Sequence, residues 1–499
     1  MVIAEQFQKS ICHERNISMK KRTFSLILCA LLLANLMACG DSGASGDTSA
    51  SDSVTDSSVE TESPLKVPKT DNGGREFNIL TTLHAAYEYD AEEQTGDVVS
   101  DAVYERNAAV EELLGIDLNF AIEAGHWVDR ETFNGLIKNS VMAGDGAYDL
   151  VNGVTVCVLP IASEGVFIDA NELEYVDLEN PWWVQGMNEN LAIGGKLYGF
   201  IGDASLSLYK DLSVVFFNKQ LLENYKLTSP YEDVRNGTWT LDKFTEMIQA
   251  VGSDLNGDGN WVPTDDLFGM IYQTVAGRSF QSATEFTIVD FDENHNPFIV
   301  DLSERDIDTY FKLYGLRTEN KNVWWFDVND HTELTVNFAA DRALFMCDLL
   351  YDTEYLRDMS SDYGIVPYPK RDAEQKDYHT QIGTSTSMFF VPITTSDVTL
   401  TSQVCEALSY YSSVDVVPAY YEVALKEKYT RDEDAKEMLE IIRDSAQMDF
   451  TFAYHTIFNP FINAVTVTAK NDIASYYATN KPKWEGTLNA LLESYASLE

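Results

Sequence analysis

Basic residues are scarce in this chain of 499. Thirty-five Lys and Arg stand against 80 Asp and Glu, a formal net charge of −45. Nucleic-acid binding needs a basic footprint that displaces phosphate counterions, and an electrostatic grip on anionic lipid needs the same, so both classes are excluded. Cysteine is scarce too. There are six, and Cys157, Cys347 and Cys405 lie far apart among apolar neighbours, which is neither a disulfide framework nor a zinc site. Buried free thiols, or a single disulfide, account for them. The seven histidines are scattered. There is no Gly-rich phosphate loop, no His-Glu-x-x-His and no nucleophile elbow, so the chain reads as a binding protein rather than an enzyme. Glycoside hydrolysis asks only for two carboxylates, and with 80 acids that alternative stays open. Beyond residue 38 no apolar run reaches the roughly 20 residues that span a bilayer.

What is present begins at the N-terminus. Met19 precedes Lys20, Lys21 and Arg22, and an apolar run from Phe24 to Ala38 follows. A basic stretch before a short apolar one is the layout of a secretory signal. Residues 1–18 are polar and fit no signal design, so translation is expected to start at Met19. The signal spans 19–38 and ends Leu36-Met37-Ala38-Cys39-Gly40. Small residues before a cysteine resemble the bacterial lipobox, which implies cleavage before Cys39 and a diacylglyceryl group on its thiol; an ordinary signal peptide with an incidental cysteine is the alternative. Residues 39–72 are mostly Ser, Asp, Gly, Thr and Glu, with no aromatic side chain. Such a segment buries too little apolar surface to fold, and about 30 residues of flexible coil reach roughly 30 Å. It reads as a tether that holds a domain off the outer face of a membrane.

The remainder alternates strand and helix. Phe77–Leu83 reads as a strand. Asp97–Leu114 reads as a helix with Val99, Val103, Arg106, Val110 and Leu114 as its stripe, stopped by Gly115. Ile116, Leu118, Phe120 and Ile122 alternate as a strand does, 129–142 is again helical, and Tyr148–Val151 is a third strand. Short links between such elements predict a parallel sheet flanked by helices. Strands are also expected at Lys196–Gly199, Leu212–Phe217, Ala343–Met346 and Gly364–Val366. Helices are expected over Asn218–Tyr225, after a Thr240 cap, and through much of the chain from Val404 onward.

These landmarks have an order: Tyr148-Asp149-Leu150-Val151, Gly195-Lys196-Leu197-Tyr198-Gly199, Val214 to Lys219, Thr238-Trp239-Thr240-Leu241, Phe338 to Phe345, and Tyr363-Gly364-Ile365-Val366-Pro367. The series resembles the family 1 extracellular solute-binding proteins, the maltose-binding-protein-like subunits of ABC importers, and in particular the large lipoprotein members common in clostridia. The resemblance implies an α/β fold of two periplasmic-binding-protein-like lobes, each a mostly parallel sheet with helices, joined by crossing segments near 201–217 and 378–392. Lobe 1 would take 73–205 and about 393–435; lobe 2 would take about 206–392 and 436–499. It also implies a monomer that captures a carbohydrate by lobe closure and hands it to ABC permease subunits, held to the membrane by its lipid alone. A cell-surface glycoside hydrolase, a glycan-adhesion lipoprotein and a receptor for a peptide or other polar solute are the alternatives.

Sugar rings stack apolar C–H faces on aromatic planes, while carboxylates, amides and hydroxyls take the sugar hydroxyls. Ligands of α/β sheets sit at strand ends. The candidate ligand-binding residues are therefore Tyr87, Trp127, Trp183, Asp203, Tyr209, Trp324, Trp325, Asp348, Tyr351 and Ser385, each with core or rim packing as its plainer role. A separate motif runs from Asp254 through Asn256, Asp258 and Asn260 to Asp265. Oxygen side chains at positions 1, 3 and 5, glycine at 6 and a carboxylate at 12 match an EF-hand calcium loop. Asp instead of Glu at 12 and Val262 at 9 depart from it. A structural Ca2+ is expected there; a plain Asx/Gly surface turn is the alternative.

Overall fold

The computed structural model describes residues 64–326, 331–426 and 433–498. The leader, Cys39 and the tether as far as residue 63 lie outside the described residues. Residues 64–72, whose composition continues the tether, lie against the folded chain: Val67 is buried, and the amides of Thr70 and Asn72 donate to the carbonyls of Leu113 and Leu114.

Thirteen strands are described. In chain order they are β1 (Arg75–Thr82), β2 (Ile116–Glu123), β3 (Leu150–Val154), β4 (Ser213–Asn218), β5 (Phe268–Gln273), β6 (Val289–Phe291), β7 (Pro297–Ile299), β8 (Val323–Phe326), β9 (Ala343–Leu349), β10 (Tyr363–Val366), β11 (Thr380–Gln381), β12 (Ser387–Phe390) and β13 (Ala446–Gln447). They form two main sheets, ordered β12-β3-β1-β2 and β10-β4-β9-β5-β8, and two short ribbons, β11-β13 and β6-β7.

Local chemistry sets these elements. Asp97 caps the helix Val98–Leu114 by accepting from the Ser100 amide, and Gly115 ends it at φ 60°. The Asn218 side chain caps the helix Lys219–Tyr225, and Thr240 caps Leu241–Ala250, as expected of such side chains. No strand forms at Lys196–Gly199, which follows a tight turn and contributes one isolated bridge. Gly194 and Gly195 take φ 59° and 76°, which reverses the chain so that Ile193 bridges back to Lys196. Five longer helices occupy the C-terminal third. Val398–Tyr411 packs on Val98–Leu114, Glu433–Asp444 on β10, and His455–Thr466 on Thr274–Ala283. Cys157, Cys347 and Cys405 are buried free thiols.

Strand direction places the site. β1, β2 and β3 run parallel, so Thr82, Glu123 and Val154 end on one edge, and antiparallel β12 begins there with Ser387 opposite Val154. β5, β8 and β9 also run parallel, and antiparallel β4 begins with Ser213 opposite Leu349. The chain enters β4 through 203–212 and β12 through 382–386. Both crossings therefore join the carboxyl edge of one sheet to the carboxyl edge of the other, and Leu212 bridges Ile382 where they run side by side. The two carboxyl edges face one another across this hinge.

Candidate functional site

On the first sheet's side the wall is made by the loops after β1 and β2. His84 follows β1 and His126 follows β2, with ring centroids 4.9 Å apart. Burial lowers the pKa of both, and the proximity of His126 and then Lys210 lowers that of His84 further. The Nε2 of His126 lies 3.0 Å from the Ser385 hydroxyl on the second crossing. Trp127 stands edge-on to His455, centroids 4.7 Å apart, and the Arg130 guanidinium lies 5.8 Å from the Trp127 ring. Lys210, on the first crossing, sits 4.6 Å from the Tyr87 ring and 5.1 Å from the Tyr351 ring, and pairs with Glu354 at 3.0 Å. One cation thus touches an aromatic ring from each side.

Glu88 ties the crossings to the first sheet. It is fully buried, and its carboxylate accepts from the Ser207 amide at 2.6 Å, the Ser387 hydroxyl at 2.6 Å and Asn152 of β3 at 3.1 Å. Burial raises its pKa against these hydrogen bonds. Asp211 reaches the other crossing. Its carbonyl accepts from the Gly383 amide at 2.8 Å, and a Cβ at Gly383 would stand 2.9 Å from its carboxylate, so only glycine lets the crossings approach this closely. Burial pushes the Asp211 pKa up to about 7.

On the second sheet's side, Gln273 ends β5, Asp348 nearly ends β9, and His331 and Asp352 close in between. His331 Nδ1 is 2.8 Å from Asp352 Oδ1 and 3.2 Å from Asp348 Oδ2; Gln273 Nε2 donates to Asp348 Oδ2 at 2.5 Å. Burial opposes charge on the imidazole, but hydrogen bonds to Asp348 and Asp352 outweigh it and raise its pKa to about 11. Burial, then the charge of Asp348, raises Asp352 well above the carboxylate range. The ligand atoms of His331, Asp348 and Asp352 all lie within 4.8 Å of one another, and a protonated His331 serves as the cation between the two carboxyl groups.

The residues expected from sequence fall into several places. Tyr87, Trp127, Tyr351 and Ser385 lie on the facing edges. Asp348 lies there too, but it is fully buried and directs one oxygen to Gln273 and His331. Trp183, Asp203 and Tyr209 meet in a separate recess of about 390 Å³, lined also by Pro181, Leu212 and Arg443. The Tyr209 hydroxyl donates to Asp203, whose pKa burial pushes up to about 7. The Trp183 indole is only 3% exposed, and its Nε1 donates to Glu406 at 2.8 Å, so packing accounts for it. Trp324 and Trp325 point to opposite faces of β8: the first packs on Phe268 at 5.8 Å, the second lies under the Arg317 guanidinium at 3.9 Å.

The loop from Asp254 folds as a run of Asx turns. Asp254 accepts from the amides of Gly257 and Gly259, Asn256 from Asp258, and Asp258 from Asn260. Asp266 closes the loop by accepting from the amides of Leu255 and Val262, each at 2.9 Å, and the neighbouring Asp265, the expected twelfth-position carboxylate, offers its carbonyl to Arg342. Asp254, Asn256 and Asp258 keep the alternate-oxygen pattern, which fits a hard cation.

No protein-family model and no curated protein matches the sequence. Solved structures do match by fold. The galacto-N-biose/lacto-N-biose I-binding protein of the ABC transporter from Bifidobacterium longum, in complex with lacto-N-biose, aligns with TM-score 0.56 at 13% identity, over 84% of this chain and 98% of that one. The chain shares the two-lobed α/β fold of that structure. A cyclo/maltodextrin-binding protein complexed with maltotetraose aligns with TM-score 0.52 at 12% identity, over 86% and 99%. An ABC transporter solute-binding protein from Thermotoga lettingae, bound with α-D-tagatose, aligns with TM-score 0.51 at 11% identity, over 84% and 100%. Among the described residues no helix is long and apolar enough to cross a membrane.

The residues that sequence reasoning missed are His84, Glu88, His126, Lys210, Asp211, Arg278, His331, Asp352 and His455. Most lie far in sequence from their partners, and the only local signal was position: His84 and His126 follow strands on the binding edge, as Tyr87 and Trp127 do.

Proposed function

We propose that this chain captures a carbohydrate at the cell surface, by closing its two lobes on it, and delivers it to the permease of an ABC importer. One observation carries the reading. The carboxyl edges of two α/β sheets face each other across two crossing segments, and aromatic rings, a hydroxyl and a cation line that gap: Tyr87, Trp127 and His126 from one side, Tyr351 from the other, Lys210 and Ser385 from the crossings. Apolar faces with a few placed polar groups are what a sugar site needs. The neighbours in fold, by their own descriptions, bind lacto-N-biose, maltotetraose and tagatose.

The lobes divide near the crossings, Cys39 carries the lipid anchor on the outer face of the membrane, and the folded part acts as a monomer. A structural Ca2+ occupies the loop Asp254–Asp266, held by Asp254, Asn256, Asp258 and the Asn260 carbonyl; chelation that left the melting temperature unchanged would sink this assignment. Hydrolysis is not favoured. It calls for two carboxyl groups about 5–10 Å apart with the glycosidic bond between them, whereas Asp348 and Asp352 are fully buried and share the His331 imidazole.

Thermal-shift screening of residues 64–499 against glycans and peptides tests the reading. A solute that binds only the native state raises the melting temperature. The expected result is a rise with one class of oligosaccharide and none with peptides; a glycan steadily cleaved during the assay, or a rise with peptides alone, would overturn it.

A further inference from the structure

Arg278 lies in the helix Thr274–Ala283, which starts where β5 ends on the cleft edge. Its Nε is buried without a hydrogen-bond partner, and among the described residues its guanidinium forms no ion pair. The other arginines held back from full exposure there, Arg75, Arg106, Arg130, Arg317, Arg342 and Arg371, each donate at least one hydrogen bond. Arg106, Arg317 and Arg342 also lack a carboxylate but bond to carbonyls, amides or hydroxyls; a part-buried guanidinium with neither is the exception that the fold does not explain, because burying an uncompensated charge is costly.

Its surroundings are those of a sugar subsite. His455 is its neighbour, with an Nδ1 that is buried and has no partner. Burial, then the charges of Arg278 and Arg130, push the His455 pKa down to about 4, so the ring is neutral at pH 7 and adds a hydrogen-bonding group without competing for an anion. The Trp127 ring touches His455 and carries Arg130 beside it. Glu131 pairs with Arg130 at 3.4 Å, and the His331 imidazole lies within reach of Asp348 and Asp352.

We propose that Arg278, with His455 and Trp127, forms a subsite for an acidic sugar, so that the solute is an oligosaccharide bearing a hexuronate whose carboxylate becomes the missing counterion of Arg278. The sugar ring stacks on Trp127, and the planar guanidinium presents paired N–H donors that match a carboxylate bidentately. The net negative charge of the chain does not prevent this, because exposed charges beyond about 8 Å are largely screened at physiological ionic strength.

The proposal rests on carbohydrate capture, and the experiment separates the two. Calorimetric titration and thermal shift are run on residues 64–499 with oligogalacturonides, with their methyl esters, and with neutral oligosaccharides of equal length. The expected result is binding of the acid at least tenfold tighter than of its ester. Arg278→Gln abolishes that preference, Arg278→Lys restores part of it, and Trp127→Ala weakens acid and ester alike. The free variants are checked by melting temperature, so that loss of binding is not loss of fold. Equal binding of acid and ester, or a preference that survives Arg278→Gln, overturns the acidic subsite and leaves carbohydrate capture standing. Silence across the whole glycan panel overturns both.

Discussion

Two polar clusters stand at the same sheet edge and have opposite character. His331, Asp348, Asp352 and Gln273 bind one another: the imidazole lies within hydrogen-bond reach of both carboxyl groups, and the amide donates to Asp348, although one oxygen each of Gln273, Asp348 and Asp352 stays without a partner. Arg278 and His455 satisfy nothing, and each keeps a buried nitrogen without a partner. Charge paired within the protein fixes a structure; charge left unpaired on a cleft wall waits for a ligand. The first cluster should therefore be sensitive in stability and the second in binding, and each prediction below probes that division.

The largest effect is expected at His331. Removing one member of a buried charge cluster leaves uncompensated carboxylates, at a cost of about 3–5 kcal/mol. His331→Ala should lower the free energy of unfolding by that order in urea denaturation, with the slope unchanged. A loss under 1 kcal/mol would mean that the cluster does not hold this edge together.

The same residue fixes a pH window. The folded-state pKa of His331 is raised to about 11 from an ordinary 6.5. The native state therefore binds the proton more tightly, and this stabilisation is complete below about 6.5 and is lost as pH rises toward 11. Melting temperature followed from pH 7 to 10 should fall in the wild type and fall less in His331→Ala. Parallel curves would show that the imidazole is not the titrating group.

Asp211, on the crossing between the sheets, gives a smaller and lower-pH effect. Its folded-state pKa of about 7 lies above the ordinary 3.8, so the native state holds a proton that the unfolded chain releases. Stability contributed by this group is present at pH 4 and is lost as pH rises to about 7. Asp203, at about 7 for the same reason, works in the same direction. Asp211→Asn should flatten the slope of stability between pH 4 and 7, by about 1–3 kcal/mol at most for one fully buried carboxyl, and leave the alkaline limb set by His331 in place.

Much of this architecture was legible in the sequence because it is specified locally. Asp97, Asn218 and Thr240 announce helix starts by capping them, and the alternation of strand and helix before residue 154 dictates a parallel sheet. Position on that sheet was enough to bring Tyr87 and Trp127 to one edge. Trp183 shows where locality fails. A double tryptophan between polar residues reads as an exposed loop, yet both indoles are satisfied by Glu406 of a distant helix. Lys196–Gly199 fails in the opposite way: an apolar pair suggested a strand, and two preceding glycines made a turn. Arg278 left no trace, since the absence of a counterion belongs to the fold and to no stretch of residues.

The smallest expected effect sharpens the comparison most. If Arg278 is held for a ligand, it contributes nothing to the stability of the free protein. Arg278→Met keeps the apolar part of the side chain and removes a charge that has no counterion, so unfolding of the ligand-free protein should change by less than about 0.5 kcal/mol or shift toward greater stability, as substitutions outside structural networks do. His331→Ala and Arg278→Met lie on the same edge of the same sheet, so equal losses of stability in the two would erase the distinction between them. A large loss for His331 beside none for Arg278 would leave the unpaired guanidinium without a structural purpose, and ligand binding as the reason it is there.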